Sequence, residues 1–220
     1  MKRVVLVNPN TSVATTAAMV EIARAAAPEG LLITGLTARF GAPLITSEAA
    51  LDEAARAVMA LAPELGFADG VIVSAFGDPG ADALSDSLGR AVVGIAEASM
   101  HAAAQGDRTF AVVTTTPLLA ARILQRSDRI GLRRLCAGVL TTPGDPTALM
   151  ATPEDLESAL QALAERAVAE LGAEAVIIGG GPLARAARSL RNRLSVPVIE
   201  PIPEAVRSLA ATLGAAEASR

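Results

Sequence analysis

The chain has no tryptophan, no tyrosine, one cysteine and one histidine in 220 residues, and Lys2 is its only lysine. Each scarcity removes a class of chemistry. A single cysteine, Cys136, forbids an internal disulfide. With only His101 beside it, a zinc site rich in His and Cys cannot be built within one chain. A pyridoxal Schiff base needs a lysine in the active site, and Lys2 precedes the first strand. A Ser-His-Asp triad would have to use His101. A net charge of −4 and 2% aromatic residues argue against nucleic acid, which asks for a basic stripe and, in single strands, stacking platforms. No apolar run approaches the ~20 residues that span a bilayer. The chain opens on "KRVVLVNPN", a strand-like run without the features of a signal peptide. The expectation is a cytoplasmic protein with no metal, no cofactor and no membrane partner.

What is present is 51% hydrophobic, mostly alanine, valine and leucine. Short β-branched runs at 4–7, 31–36, 71–74, 91–95, 110–114, 136–140, 175–178 and 196–199 alternate with helix-like stretches such as 47–62 and 152–171. That alternation predicts parallel sheets covered on both faces. The chain also repeats itself. "VLVNPNTS" from Val5 matches "AVVTTTPL" from Ala111, "LLITGL" from Leu31 matches "CAGVLT" from Cys136, "VIVSA" from Val71 matches "VIIGG" from Val176, and "AVVGI" from Ala91 matches "VPVIE" from Val196. Four strands in one order at nearly one spacing predict an α/β fold of two pseudo-symmetric Rossmann-like domains, each a four-stranded, mainly parallel sheet flanked by helices. The first domain is expected over 1–95 plus 203–220, the second over 96–202, with a ligand cleft between them.

Asp78-Pro79 and Thr116-Pro117 each place an N-cap residue before a proline suited to the first helical position; Gly181-Pro182 uses a weaker glycine cap. Three loops turning into helices at the carboxyl edge of a sheet put backbone N–H groups and positive helix ends where α/β ligands gather. The expected ligand is a small anion or a planar, amide-rich molecule. If the halves face each other, residues 8–12 confront 114–116, and 74–80 confront 179–183. The Gly179-Gly180-Gly181 run lacks dinucleotide-fingerprint spacing and has no following P-loop lysine. Arg185, Arg188, Arg191 and Arg193 after it read as a solvated charged face.

The runs "VNPNTS", "FGDPG" and "VVGIAEASMHAA", in that order, resemble the hydantoin racemase branch of the aspartate/glutamate racemase superfamily, across essentially the whole chain. The resemblance implies cofactor-independent removal and return of a proton at the carbon next to a carbonyl, on a small carboxylate or a cyclic ureide. It implies homo-oligomers and two catalytic cysteines at the ends of the equivalent third strands. Here those positions read Ala75 and Gly180. Cys136 lies at a strand start away from both loops and reads as a buried structural thiol.

The remaining acid–base candidates are Asp78, which also reads as an N-cap, and Glu97 with His101, which share a helix face at a spacing of four. The substrate-binding candidates are Asn8, Asn10, Thr11 and Ser12, their counterparts Thr114, Thr115 and Thr116, and Ser74, Phe76, Gly77, Gly181, Pro182 and Leu183. Amides and hydroxyls in these runs suit a ligand's carbonyls, and they equally suit turns and caps. Ser47 and Glu200 are weaker candidates. Three functions follow: racemisation by non-cysteine groups, decarboxylation or isomerisation within the superfamily, or a catalytically inactive small-molecule binding protein.

Overall fold

The computed structural model describes residues 1–218, so the last two residues of the 203–220 segment lie outside the described residues. It contains eight strands in two parallel sheets. The first holds β1 (Lys2–Asn8), β2 (Leu31–Thr37), β3 (Gly70–Val73) and β4 (Ala91–Gly94) in the order β2-β1-β3-β4. The second holds β5 (Phe110–Thr114), β6 (Cys136–Thr141), β7 (Ala175–Ile178) and β8 (Val198–Ile199) in the order β6-β5-β7-β8. The second order is the first repeated, as a duplicated unit requires. The inner strands β1, β3, β5 and β7 are apolar and buried along nearly their whole lengths, because helices cover both faces.

The register refines the internal repeat. Val4 pairs with Gly70 and Phe110 with Ala175, so the inner strands correspond as the sequence matches require. The outer strands slip. Relative to β3 and β7, Val92 corresponds to Val198 rather than to Pro197. Beyond a bulge at Phe110/Ala111, Thr34 corresponds to Gly138 rather than to Val139. β8 also begins later than its apolar run, since Pro197 has no N–H for a ladder and offers only its carbonyl, to Val176 N.

The helices are α1 (Val13–Ala26), α2 (Glu48–Ala60), α3 (Ala81–Leu88), α4 (Ile95–Ala103), α5 (Ala120–Arg129), α6 (Pro146–Met150), α7 (Pro153–Leu171), α8 (Ala184–Leu190) and α9 (Pro201–Ala218). Ser12 and Ser47 cap α1 and α2, accepting from Thr15 N and Ala50 N. Each such cap contributes about 1 kcal/mol. α9 returns to the first half and packs on α1, α4, β3 and β4. α4 lies between the halves, against β4 and α9 on one side and α5, β7 and β8 on the other. One apolar core therefore runs through both, joining Leu6 and Ile72 to Phe110, Val112 and Ile177.

Candidate functional site

The carboxyl ends of β1, β3, β5 and β7 meet around one cleft of about 500 Å³, its open mouth included. Its wall takes Asn10 from the loop after β1, Ser74, Ala75 and Phe76 after β3, Thr114, Thr115 and Thr116 at the end of β5, and Gly179 to Leu183 after β7. Leu44, Ile45, Leu119 and Met150 close its sides. No residue of that wall is Asp, Glu, His, Cys, Lys or Arg.

The polar groups divide into those already occupied and those still available. Asn8 is fully buried and does not line the cleft: its amide donates to Asn10 Oδ1, the Ser12 carbonyl and Thr16 Oγ1, and its own Oδ1 accepts from Asn10 N. Ser12 is the α1 cap, and Thr11 donates its N–H to the Ala42 carbonyl. The "NPNTS" run thus builds a hydrogen-bonded turn that presents Asn10 alone. Asn10 Oδ1 takes bonds from Asn8 and from Ser12 N, while among the described residues its Nδ2 has no acceptor. The Ser74 hydroxyl lies 3.1 Å from Met19 Sδ, and the Thr114 and Thr116 hydroxyls lie 3.3 Å apart. Thr115 is buried, and its hydroxyl has no partner among the described residues. The backbone N–H groups of Ala75, Phe76 and Gly180 likewise meet no described acceptor. Residues from both halves that carry these donors therefore line one small volume.

The acid–base candidates sit elsewhere. Asp78 does not cap α3, whose N-cap is Gly80; its backbone is left-handed at φ 51° and turns the side chain the other way. Its two oxygens accept from Ala96 N and Glu97 N, each at 2.8 Å, so it caps α4 from a distant loop. A Cβ on Gly94 would lie 2.1 Å from the Asp78 carboxyl carbon, so only glycine leaves room for this cap. Burial pushes the Asp78 carboxyl up to about 6, against the pull of Arg126 and the two amides. Glu97 ion-pairs with Arg126 and lies 3.8 Å from His101 Nε2, which is more than half exposed on the outer face of α4. Gly77 lines a neighbouring recess with Asp78, not the cleft.

Arg126 is the residue that local sequence pattern misses. It reaches from α5 in the second half to Asp78 (3.2 Å) and Asp82 (2.8 Å) in the first and to Glu97 on α4 between them, with its side chain 7% exposed. Its only sequence signal is a charge on the buried side of an amphipathic helix, three residues after Ile123. Glu200 is buried at the end of β8 between Arg188 (3.5 Å) and Arg191 (3.6 Å), outside the cleft. Arg185 and Arg193 pair with Glu21 and Glu157, so the arginine run is spent on ion pairs. Cys136 is a buried free thiol whose pKa burial raises. Among the described residues no group of three or more His, Cys, Asp or Glu could hold a metal. No helix there is long and apolar enough to cross a membrane.

A sequence profile of the family described as Asp/Glu/Hydantoin racemase matches residues 4–209. The chain belongs to the Asp/Glu/hydantoin racemase family. It is 33% identical over 215 residues to a hydantoin racemase of Paenarthrobacter aurescens, covering 93% of this chain and 88% of that one. In structure it resembles allantoin racemase of Pseudomonas fluorescens (TM-score 0.91, 31% identity, 97% and 92% of the two chains) and of Klebsiella pneumoniae (TM-score 0.89, 30%, 98% and 89%). A glutamate racemase of Francisella tularensis shares the fold at 15% identity, TM-score 0.63, over 98% and 82%. In this chain, the two positions that the sequence resemblance assigns to thiols, Ala75 and Gly180, both line the cleft.

Proposed function

We propose that the cleft binds a small cyclic ureide of the hydantoin type and holds its ring carbonyls with Asn10 Nδ2, Thr115 Oγ1 and the amides of Ala75, Phe76 and Gly180. One observation carries the reading: uncommitted donors from both halves converge on a volume whose wall has no ionisable side chain. Such donors suit carbonyl oxygens, and would also stabilise an enolate if one formed. Lifting and returning a proton needs an acid–base group within about 3 Å of the carbon. Asp78 and His101 line other surfaces, Glu97 is paired with Arg126 outside the cleft wall, and both oxygens of Asp78 are occupied by the α4 cap. The protein on this reading recognises its ligand without the two-thiol exchange.

The second reading is racemisation by another group, and the whole-length similarity to a hydantoin racemase favours it. Proton NMR in D₂O separates the two, with hydantoins, allantoin, aspartate, glutamate and substituted malonates as ligands. Broadened hydantoin signals with an undiminished C–H resonance support binding alone. Loss of that resonance in proportion to protein establishes racemase-type chemistry. Consumption of a malonate points to decarboxylation. Unchanged spectra for every ureide overturn the ureide assignment.

A further inference from the structure

Two segments of the cleft wall are joined behind the cleft. Ala75 and Phe76 line it after β3, and the Asp78 N–H closes their turn on the Ala75 carbonyl at 3.0 Å. Thr114, Thr115, Thr116 and Leu119 line it after β5, and α5 begins directly beyond them. Arg126 stands seven residues after Leu119, two turns along that helix. Its Nε lies 3.2 Å from Asp78 Oδ2, so one ion pair links a wall of the first half to a wall of the second. The α4 amides of Ala96 and Glu97 hold the same carboxylate from a third side. The Phe76 ring makes another crossing, since a Cβ on Gly179 would lie 3.2 Å from Phe76 Cδ1.

We infer that Arg126 and Asp78 are positioning residues for the cleft: they strap the β3 turn to α5 and so fix the spacing at which the two halves meet a ligand. This rests on the ureide reading above and deepens it. A rigid ring held by its carbonyls from both halves fits one wall spacing, and walls fixed before binding spare the cost of ordering them. The arginine suits the task because it is buried and its fork is fully divided: Nε goes to Asp78, Nη1 to Asp82 and Nη2 to Glu97. A lysine would put one ammonium in place of that planar fork. Arg122, one turn earlier on α5, also crosses to the first half and pairs with Asp52 at 2.8 Å. That pair is partly exposed and ends on α2 rather than on a wall turn, so it contributes little.

The test is an NMR shift titration of the isotope-labelled full chain with hydantoin. Native signals report folded molecules alone, so a variant that merely unfolds in part loses intensity without a change in Kd. Arg126→Lys and Asp78→Asn should each raise Kd about three- to thirtyfold. The double variant should bind little worse than the weaker single one, because either change releases the same strap. Arg122→Gln, which removes the exposed pair across the same halves, should stay within about twofold. In the parent chain, hydantoin should move the Arg126 Nε–H signal and the Ala96 and Glu97 amides, because coupling is reciprocal. That reading requires no variant to fold. Hydantoin binding that leaves those three signals in place overturns the inference while the ureide reading stands. So do parent-like Kd values in both single variants, effects that multiply in the double variant, or an equal loss in Arg122→Gln. A parent spectrum wholly unchanged by hydantoin removes the ureide reading and the inference together.

Discussion

The loops that follow β3 and β7 occupy the same place in the two halves, yet they are held by different forces. The β3 loop is tied down by charge: Asp78 caps α4 and meets Arg126, which comes from the opposite half. The β7 loop has no ionic tie. It turns through Gly180, at φ 150°, and is held by Leu183, which is buried in an apolar cluster of the second half with Val113, Val176 and Ile178. A duplicated fold can thus keep its strand order while exchanging an electrostatic anchor for an apolar one. The cost of disturbing each should reveal the difference.

The largest effect is expected for Asp78→Ala. It removes a cap from α4 and strips a partner from buried Arg126, and breaking such a buried pair costs about 3–5 kcal/mol. Urea unfolding against the parent chain measures this. The matching change in the other loop, Leu183→Ala, should cost about 2–4 kcal/mol through lost burial and a cavity. If the two lie in the reverse order, the apolar anchor is the stronger.

A smaller contrast comes from adding a thiol to each of Ala75 and Gly180. Gly180→Cys places a Cβ 3.1 Å from Leu183 Cγ on a backbone that L-residues seldom adopt, so a loss of about 1–3 kcal/mol is expected. Ala75→Cys adds one atom to a wall that borders open space and should stay within about 0.5 kcal/mol. Equal Tm values for the two variants would remove the asymmetry between the loops.

Acidity gives a further handle. Because burial raises Asp78 from 3.8 to about 6, the folded chain holds its proton longer than the unfolded one. Its contribution is fully present below pH 3.8 and is lost as pH rises through about 6. The difference in unfolding free energy between parent and Asp78→Asn should therefore drift against the parent from pH 4 to pH 6 and then level off. A flat difference would show that the amides and Arg126 cancel burial, and a drift in the parent's favour that they outweigh it. Ser12→Ala, which removes only a cap, should show the smallest loss, about 1 kcal/mol by thermal melting.

Much of this was legible in the chain. The inner strands, their repetition in two halves and the facing loops follow from apolar runs and the internal repeat, because buried parallel strands write themselves as continuous hydrophobic stretches. The register of β8 was hidden by Pro197, which is apolar in pattern but cannot donate to a ladder. Asp78 before Pro79 satisfies every local rule for a cap, yet a positive φ sends its carboxylate to α4. Local pattern cannot report that reversal. It does contain the clue in two pieces, since the "FGDPG" and "VVGIAEASMHAA" runs form a single unit in which Gly94 makes room for Asp78. Arg126 was missed because its three carboxylates come from two other segments, the β3–α3 region and α4.

The lone thiol offers something practical. Cys136 is 3% exposed and belongs to the core shared by both sheets, so no reagent in solution reaches it while that core is closed. With no second cysteine to compete, the chain has a native clock of its own opening. Each modified molecule marks one escape of β6 from the interior, countable by mass without attaching any probe.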